Sequence, residues 1–536
     1  MSTATVDAVV VGGGHHGLVA AAVLADAGWD VCLLEASDAV GGAVRSAELH
    51  AGFTTDLYSA FHPLAVASPV LRSLELNRQG LRWSHAPAVL AHPRPPHGEH
   101  AAVMYRDRER TAAGLDDDAP GDGEAWLRLC RQWDVLSEPL LRTLFTAFPP
   151  VRGPAQLLRR IGTAEALRLL RFLALPVTRM GEELFRGEAA RLFLAGNAMH
   201  ADIPPTAPVS GAFGWLLAML GQQHGFPTPT GGVGELAAAL ARRATAAGAD
   251  IRTGQRVERI GVRGGRVTGV HTAAGLHVRV RRAVVADVSA PALYGDLLPA
   301  DALPSRLRDD LTRFAWDTPV LKVNWALDGP IPWRAPGVAG AGTVHLGADV
   351  AGLVRWDADL ETGVLPDTPF MLFGQMTTSD PARSPVGTES AWAYTHLPRD
   401  VTDDALADEL AARVDATLET YAPGFTERVV ARHVQRPGNL QGADANLHGG
   451  AVNGGTAQLF QQLVFRPVPG LGRPETVVRG LYLGSAAAHP GGGVHGVCGW
   501  LAARAALADQ RALGVLRRGV RSGALELIYR AEPSAR

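Results

Sequence analysis

Hydrophobic and polar positions near the N-terminus predict a strand, a helix and a second strand. Residues 8–11 are an uninterrupted apolar run typical of a buried strand, and an alanine-rich stretch with helical periodicity continues to residue 27. A second apolar run covers residues 30–34. Strand, helix and strand in this order predict the start of a parallel sheet with helices packed on its faces.

The pattern changes twice farther along the chain. Helices broken by proline and glycine are predicted for residues 69–226, and several short strands follow over residues 228–287. The apolar run at residues 281–287 predicts a buried strand, so we expect the chain to return there to the first sheet. Alternating apolar and polar positions predict further strands over residues 320–397.

A glycine motif lies at the first predicted turn. Gly12, Gly14 and Gly17 follow the first strand directly and open the helix, which is the arrangement of a dinucleotide-binding fingerprint. Gly12 permits the tight turn, Gly14 lets the backbone approach a pyrophosphate, and Gly17 lets the helix pack closely on the strand. Glu35 ends the second strand roughly 20 residues on, where a carboxylate can accept hydrogen bonds from a ribose diol.

Two further glycine-rich segments discriminate between NAD and FAD, which share that fingerprint. Gly41 and Gly42, with Arg45 close behind, offer a second length of backbone to a cofactor, which suits the longer FAD molecule. Residues 481–497 predict a strand, a turn with three consecutive glycines and a helix start, whose free N–H groups suit the electron-rich end of a reduced flavin. We therefore predict FAD, with an NAD-only dehydrogenase as the weaker alternative.

These elements together predict an α/β protein. Its first domain is a doubly wound, Rossmann-like FAD-binding domain, and its second is a substrate domain with a mixed β-sheet and helices. We expect both domains to be discontinuous, followed by a C-terminal tail. The predicted bounds are 1–75, 226–300 and 470–515 for the FAD-binding domain, 76–225 and 301–469 for the substrate domain, and 516–536 for the tail.

Both ends of the chain carry a resemblance to a known superfamily. Two segments of this chain resemble the flavin-binding ends of bacterial phytoene desaturases and flavin amine oxidases. They are VVVGGGHHGLVAAAVLADAGWDVCLLEASDAVGGAVRS and GLYLGSAAAHPGGGVHGV. Two middle stretches of this chain more closely resemble the group called pyridine nucleotide-disulfide oxidoreductase domain-containing protein 2. They are DPARSPVGTESAWAYTHLP and QQLVFRPVPGLGR. Cys32, Cys130 and Cys498 form no C-x-x-C motif, so the cysteines give no support to the disulfide part of that group's name.

The resemblance also implies which residues contact FAD. One of them, Val257, belongs to the strand that meets the adenine end, and the C-terminal glycine segment contributes contacts near the flavin. His16 departs from relatives, which usually have asparagine at that position. The implied FAD contacts are Gly12, Gly14, His15, Gly17, Glu35, Gly41, Gly42, Arg45, Val257, Gly484, Ser485, Gly493 and Val494.

Lys322 is the first candidate for a role in the chemistry. It is the only lysine in the chain, and it alternates with an apolar face formed by Leu321, Val323 and Trp325. One interpretation is a solvated lysine on an open sheet face. The other follows from flavin amine oxidases, which resemble this segment in placing a lysine beside the flavin. We therefore hypothesise that Lys322 tunes the flavin or its reaction with oxygen.

Other polar and aromatic residues are weaker candidates. Trp392, Tyr394 and His396 alternate along one predicted strand, so they line a cavity together or pack together in a core. His489 precedes Pro490 in the C-terminal glycine turn, where it contacts flavin or substrate in one interpretation and stabilises the loop by a hydrogen bond in the other. The histidines show no spacing typical of a metal site, so we predict none.

Charge and hydropathy exclude several classes of partner. The chain has 51 basic and 53 acidic residues and no basic block, so a nucleic-acid partner is not expected. No secretory signal pattern is present, which predicts a cytoplasmic protein. Residues 157–171 predict an amphipathic helix rich in arginine, which is compatible with peripheral membrane contact or with an ordinary solvated face. The oligomeric state is not determined by these patterns.

The predicted function is an FAD-dependent oxidoreductase of the dehydrogenase or desaturase type. It would take a hydride from a C–H bond of an organic, apolar small molecule, with the cofactor carrying out the difficult step. A flavin amine oxidase that uses Lys322 is the alternative within enzymes. A non-catalytic escort protein on the same fold is the alternative from another class.

Overall fold

The computed structural model describes residues 3–530. The strands in this range are β1 (Thr3–Val11), β2 (Val31–Leu34), β3 (Ser46–His50), β4 (Phe53–Asp56), β5 (Trp83–Ser84), β6 (Ala88–Pro93), β7 (Ala101–Met104), β8 (Thr228–Pro229), β9 (Asp250–Arg252), β10 (Val257–Arg263), β11 (Arg266–Thr272), β12 (His277–Ala286), β13 (Val320–Leu327), β14 (Ala341–Leu346), β15 (Met371–Gln375), β16 (Glu389–His396), β17 (Val429–Gln435) and β18 (Leu481–Leu483). The α-helices are α1 (His15–Asp26), α2 (Pro63–Ala67), α3 (Pro69–Ser73), α4 (Arg108–Asp118), α5 (Asp122–Leu144), α6 (Arg152–Ala174), α7 (Val177–Leu184), α8 (Glu188–His200), α9 (Ser210–His224), α10 (Gly234–Ala246), α11 (Ser305–Leu311), α12 (Val350–Glu361), α13 (Met376–Ser379), α14 (Asp404–Tyr421), α15 (Pro437–Ala443), α16 (Val497–Asp509) and α17 (Gly514–Ile528).

The first large sheet contains the strand predicted at the N-terminus. Its parallel part has the order β18, β12, β1, β2, β9, and the antiparallel hairpin of β10 and β11 extends it beside the first half of β12. Strand order reverses between β1 and β12, and the carboxyl ends of strands leave a crevice for ligands at such a point. Helices α1, α10 and α16 pack together on this sheet. The predicted doubly wound α/β fold is confirmed.

The second large sheet is mixed, as predicted for the substrate domain. Its order is β17, β13, β16, β15, β14, β6, β7, and β14 with β6 is its parallel pair. Alternate residues of β13, including Leu321 and Trp325, pack in one apolar cluster with Leu410 and Val414 of α14. Because side chains alternate along a strand, Lys322 and Asn324 lie on the opposite face of the sheet. The helices from α4 to α9 build a separate apolar core beside that face.

The amphipathic stretch predicted at residues 157–171 lies within α6. Gly162 interrupts this helix with a φ of +77°, and Leu167 and Leu170 are 70% and 65% exposed beside its arginines. Peripheral membrane contact through this surface stays a prediction. Within residues 3–530, no helix has the length and apolar character needed to cross a bilayer.

Candidate functional site

The turn between β1 and α1 is closed too tightly for any residue except glycine. Gly12 has a φ of +96°, and a Cβ added there would lie 2.6 Å from the carbonyl oxygen of Asp287. A Cβ on Gly17 would lie 2.1 Å from the Gly12 carbonyl oxygen. The two strand ends at the crevice, Val11 and Ala286, are therefore brought together with the start of α1. Free N–H groups at a helix start of this kind favour bound phosphate.

Asp287 forms the other wall of this turn. Its Oδ2 accepts a hydrogen bond of 2.7 Å from the N–H of Gly17. Burial raises its pKa to about 8, the N–H of Gly17 opposes that rise, and the carboxylates of Asp444 and Glu35 add to it. A carboxyl group that is largely protonated at neutral pH does not repel a diphosphate, so Asp287 is compatible with a nucleotide in the crevice.

Glu35 links the first and second glycine segments. Its carboxylate accepts hydrogen bonds from the N–H of Gly13 at 2.6 Å and from the N–H of Ser37 at 2.8 Å. The N–H of Gly41 donates to the Gly13 carbonyl oxygen at 2.8 Å, so Gly41 and Gly42 lie directly beside the glycine turn. A carboxylate has about four acceptor sites, which leaves Glu35 free to accept further bonds from a ribose.

The C-terminal glycine segment converges on the same crevice. The N–H of Gly484 donates to the carbonyl oxygen of Ala286 at 2.8 Å, which fixes the end of β18 beside β12. The ring Nε2 of His15 lies 3.3 Å from the carbonyl oxygen of Gly493. Ser485 and Val494 line one cavity with residues from the N-terminal turn. The two predicted helix starts, separated by almost the whole chain, therefore meet.

Arg45 and Val257 lie at the edge of this arrangement. Arg45 is 3.8 Å from the carboxylate of the exposed Asp38. Val257 is buried at the start of β10, close to the backbone of Gln255, whose N–H donates to the Glu35 carbonyl oxygen at 2.7 Å. Neither side chain is among the described residues that line the central cavity. Their contacts to FAD stay predictions.

The central cavity has a volume of about 350 Å³ and is lined by the glycine segments beside the first sheet and by residues of the second sheet. It begins at the glycine segments and ends against β13 and β16. Most of its walls are apolar and aromatic, which is typical of sites for small organic molecules. The side chains that give it this character include Phe61, Leu64, Phe145, Phe213, Leu216, Leu217 and Trp392.

Lys322 lines the cavity and is buried. Only 2% of its surface is exposed, and its Nζ donates to the carbonyl oxygen of Asp56 and, at 2.9 Å, to Oδ1 of Asn324. Burial lowers the pKa of Lys322 to about 7; Asp56 opposes this shift and Arg383 adds to it. The interpretation of Lys322 as a solvated residue was wrong, because the helical core and the first domain cover this face of the sheet.

Trp392 and Tyr394 also line the cavity, whereas His396 lies behind it. The rings of Trp392 and Tyr394 are stacked, with centroids 6.1 Å apart, and Lys322 Nζ lies 5.5 Å from the Trp392 centroid. His396 Nε2 is 2.9 Å from the carboxylate of Asp202, which itself reaches the cavity. Burial disfavours a charged His396 ring, but Asp202 outweighs burial and raises the pKa of His396. The shared strand face thus contributes both to the cavity and to the core.

Comparisons with known proteins identify the family. The family model for flavin containing amine oxidoreductases matches residues 17–507. The chain belongs to this family. It is accordingly an FAD-dependent oxidoreductase, and the non-catalytic escort alternative is set aside.

Relatives of this flavoenzyme confirm the predicted superfamily. Pyridine nucleotide-disulfide oxidoreductase domain-containing protein 2 of Rattus norvegicus is 28% identical over 94% of this chain and 93% of its own length. Hydroxyneurosporene desaturase of Cereibacter sphaeroides is 28% identical over 94% of this chain and 97% of its own length. An oxidoreductase structure from Methanosarcina mazei shares the fold, with a TM-score of 0.61, 16% identity and coverage of 94% and 99% of the two chains.

His489 makes the loop-stabilising contact that the sequence left as an alternative. Its Nε2 lies 3.0 Å from the carbonyl oxygen of Thr146, and the ring is buried outside the cavity lining. Burial lowers the pKa of His489 to about 4, so the ring is neutral at physiological pH. A catalytic role for His489 stays a prediction, and the function proposed for this flavoenzyme does not depend on it.

Several polar residues of the site were missed by the sequence reasoning. His16, His495 and Cys498 are buried with their potential metal-binding atoms within 4.8 Å of one another, although they come from opposite ends of the chain. The bonds of Val497 N–H to His495 Nδ1 at 3.0 Å and of His495 Nε2 with Gly491 at 3.3 Å engage both nitrogens of that ring. Sequence signals for these residues were weak: His16 departs from relatives, and Asp287 directly ends a predicted buried strand.

Proposed function

We propose that this flavoenzyme takes a hydride from a C–H bond of an organic, apolar substrate that lies in the central cavity. The observation that carries the proposal is the continuity of one mostly apolar cavity from the two glycine segments to Trp392 and Tyr394. A substrate in this cavity would contact a cofactor at one end and aromatic side chains at the other. Such walls also exclude water, which protects a hydride transfer from side reactions.

The residues of the crevice fit FAD. N–H groups at the start of α1 would hold its diphosphate, Glu35 would accept hydrogen bonds from its ribose, and the segment around Ser485 and Gly493 would lie against its ring system. Bound FAD supplies a hydride acceptor that gains negative charge as it is reduced. The chain orients the substrate and controls the charge around that acceptor.

Lys322 is the polar group best placed to influence the chemistry. It lies within a hydrogen-bonding network on the cavity wall, and its pKa of about 7 makes the neutral and charged forms similarly populated at neutral pH. We propose that it tunes the flavin or its reaction with oxygen. Lys322→Arg keeps a permanent charge but removes the neutral form. Reduction and reoxidation rates equal to those of the wild type would remove this role.

Amine oxidation is the second candidate function. Asp202 and Lys322 both line the cavity, and a substrate ammonium would compete with His396 for the carboxylate of Asp202. Anaerobic mixing with two probes, an isoprenoid hydrocarbon and an arylalkylamine, separates the candidates. Only a probe that the enzyme oxidises will reduce the flavin and bleach its visible absorbance. Bleaching by the hydrocarbon supports the first function, and bleaching by the amine alone replaces it with the second.

A cavity-filling variant tests whether the substrate lies where we propose. Leu217→Trp places a larger side chain on the cavity wall, and we expect it to slow anaerobic flavin reduction at least ten-fold without loss of bound FAD. Leu170→Trp is the matched control, because Leu170 is 65% exposed on α6. An unchanged reduction rate in Leu217→Trp would contradict the proposed position of the substrate.

A further inference from the structure

Arg466 is a buried guanidinium whose hydrogen bonds all go to backbone carbonyl oxygens. Only 1% of its surface is exposed. Its Nε donates to Ala486 at 3.0 Å, its Nη1 to Thr456 at 2.9 Å, and its Nη2 to Asn453 at 3.0 Å, with further contacts to neighbouring carbonyls. The side chain therefore joins the backbone at residues 453–456 to the segment that follows Ser485.

The positive charge of Arg466 has no acidic partner in contact. Among the described residues, no carboxylate oxygen lies within 4.0 Å of its guanidinium nitrogens. Burial lowers the pKa of Arg466 to about 10, while Cys498 and Asp317 oppose the shift from a distance, so the group stays charged at neutral pH. A buried charge without a counter-charge is unfavourable, and carbonyl dipoles offset only part of that penalty.

Arg466 lies directly beneath the C-terminal glycine turn. A Cβ added to Gly491 would be 3.3 Å from its Cζ, and Arg466 lines the cavity together with Ser485 and Gly493. These are the residues that would lie against the ring system of FAD. A positive charge with no carboxylate in contact therefore faces the place where negative charge develops during reduction.

We propose that Arg466 is an electrostatic positioning residue for the cofactor, whose charge stabilises the negative charge that arrives with the hydride. Each of its three guanidinium nitrogens already donates to a carbonyl oxygen, so we assign its effect to its field and not to a direct hydrogen bond. The field is strong because the surroundings are buried and of low polarity. The inference depends on FAD lying along the C-terminal glycine turn, as proposed above, but not on the identity of the substrate.

Sulfite affinity of the FAD-loaded enzyme tests this role without any substrate. Sulfite adds to oxidised flavin and leaves a negative charge on the ring, so its dissociation constant reports the local positive charge. We expect Arg466→Gln to weaken sulfite binding at least ten-fold and to lower the two-electron midpoint potential of the flavin by about 30 mV or more. Arg466→Lys retains the charge, so its dissociation constant for sulfite should stay within about three-fold of the wild-type value.

The outcomes separate a charge effect from a purely structural one. If Arg466 only joins two backbone segments, the glutamine and lysine variants will lose FAD and thermal stability to similar extents, and the potential at equal FAD occupancy will not change. That result would overturn the proposal. Weaker sulfite binding in Arg466→Gln, with near wild-type binding in Arg466→Lys, would support the proposal even if no substrate is ever oxidised.

A measurement on the wild type covers the case in which both variants fail to fold. The midpoint potential changes by about 30 mV per pH unit when two electrons enter with one proton, and by about 59 mV when they enter with two. We expect the change between these slopes to occur at least one pH unit lower in the holoenzyme than in free FAD titrated alongside. A transition at the same pH as in free FAD would show that no positive charge stabilises the reduced ring.

Discussion

Two buried arginines, Arg383 and Arg466, are compensated in different ways. Arg383 is completely buried and forms ion pairs with Asp56 at 2.9 Å and with Asp380 at 3.1 Å. Arg466 is equally inaccessible but contacts only carbonyl oxygens. The first arrangement neutralises its own charge within the protein, whereas the second leaves a field that a bound cofactor can use.

The ion pair between Arg383 and Asp56 matters for Lys322 because Asp56 contacts both of these basic side chains. Asp56 accepts a hydrogen bond from Arg383 through its carboxylate and one from Lys322 through its backbone carbonyl oxygen. Its carboxylate also accepts the N–H of Val233, the residue that precedes α10, at 2.9 Å. One aspartate thus connects the lysine on the substrate sheet, the buried arginine and a helix of the first domain. We infer that this network primarily holds Lys322 in position.

The largest expected effect comes from breaking the compensated site. Arg383→Met would leave Asp56 and Asp380 buried without their cation, which typically costs about 3–5 kcal/mol. We expect a loss of this size in the free energy of unfolding of the holoenzyme, measured by urea titration. Arg168→Met, in an exposed pair with Glu165, is the control and should change little. Equal stability of Arg383→Met and wild type would show that the network is not needed for folding.

A smaller effect is expected at the carbonyl-bound site. Arg466→Met removes a charged donor from several neutral acceptors. Each such hydrogen bond contributes about 1.5–3 kcal/mol, but removing a charge that has no carboxylate in contact also relieves its burial penalty. Because no buried carboxylate loses its partner, the same urea titration should show a smaller loss than for Arg383→Met. A loss equal to or greater than that of Arg383→Met would remove the distinction between the two arginines.

The last expected effect is a pH dependence of stability at Lys322. Its folded-state pKa of about 7 lies below the ordinary lysine pKa of 10.5, so the unfolded chain binds more protons between these values. Stability contributed by this group therefore rises as pH increases from 7 towards 10 and is lost as pH falls towards 7. Lys322→Met should lack this rise, which thermal melts of both proteins from pH 6 to 10 can measure. Parallel pH profiles of the melting temperature in the two proteins would show that the pKa of Lys322 is close to that of a solvated lysine.

The glycine motifs were predictable because their chemistry is local. Gly12 and Gly17 follow an apolar strand at a fixed spacing, and the structure shows the close contacts that exclude any side chain at both positions. The meeting of the N-terminal and C-terminal glycine segments was predictable from their shared resemblance to flavin-binding ends. Family membership then confirmed the fold and the cofactor.

Burial and charge compensation were not predictable in the same way. Lys322 was read as a solvated residue in one interpretation because alternation along β13 assigns it to a face without showing what covers that face. Asp56, Arg383 and Asp380 are separated by up to 327 residues in sequence, and no local pattern signals their ion pairs. His489 likewise lies in the expected turn, but the backbone of Thr146 determines which way its ring points.

The sequence by itself determined the first strand, helix and strand, the tight turn of the nucleotide motif and the cofactor class, because periodicity and glycine spacing act over short stretches of chain. Only the tertiary structure decided which charges are buried, which of them have partners and which side chains face the cavity. The reason is physical: the free energy of a charge depends on every group that replaces water around it, and those groups come from distant parts of the chain.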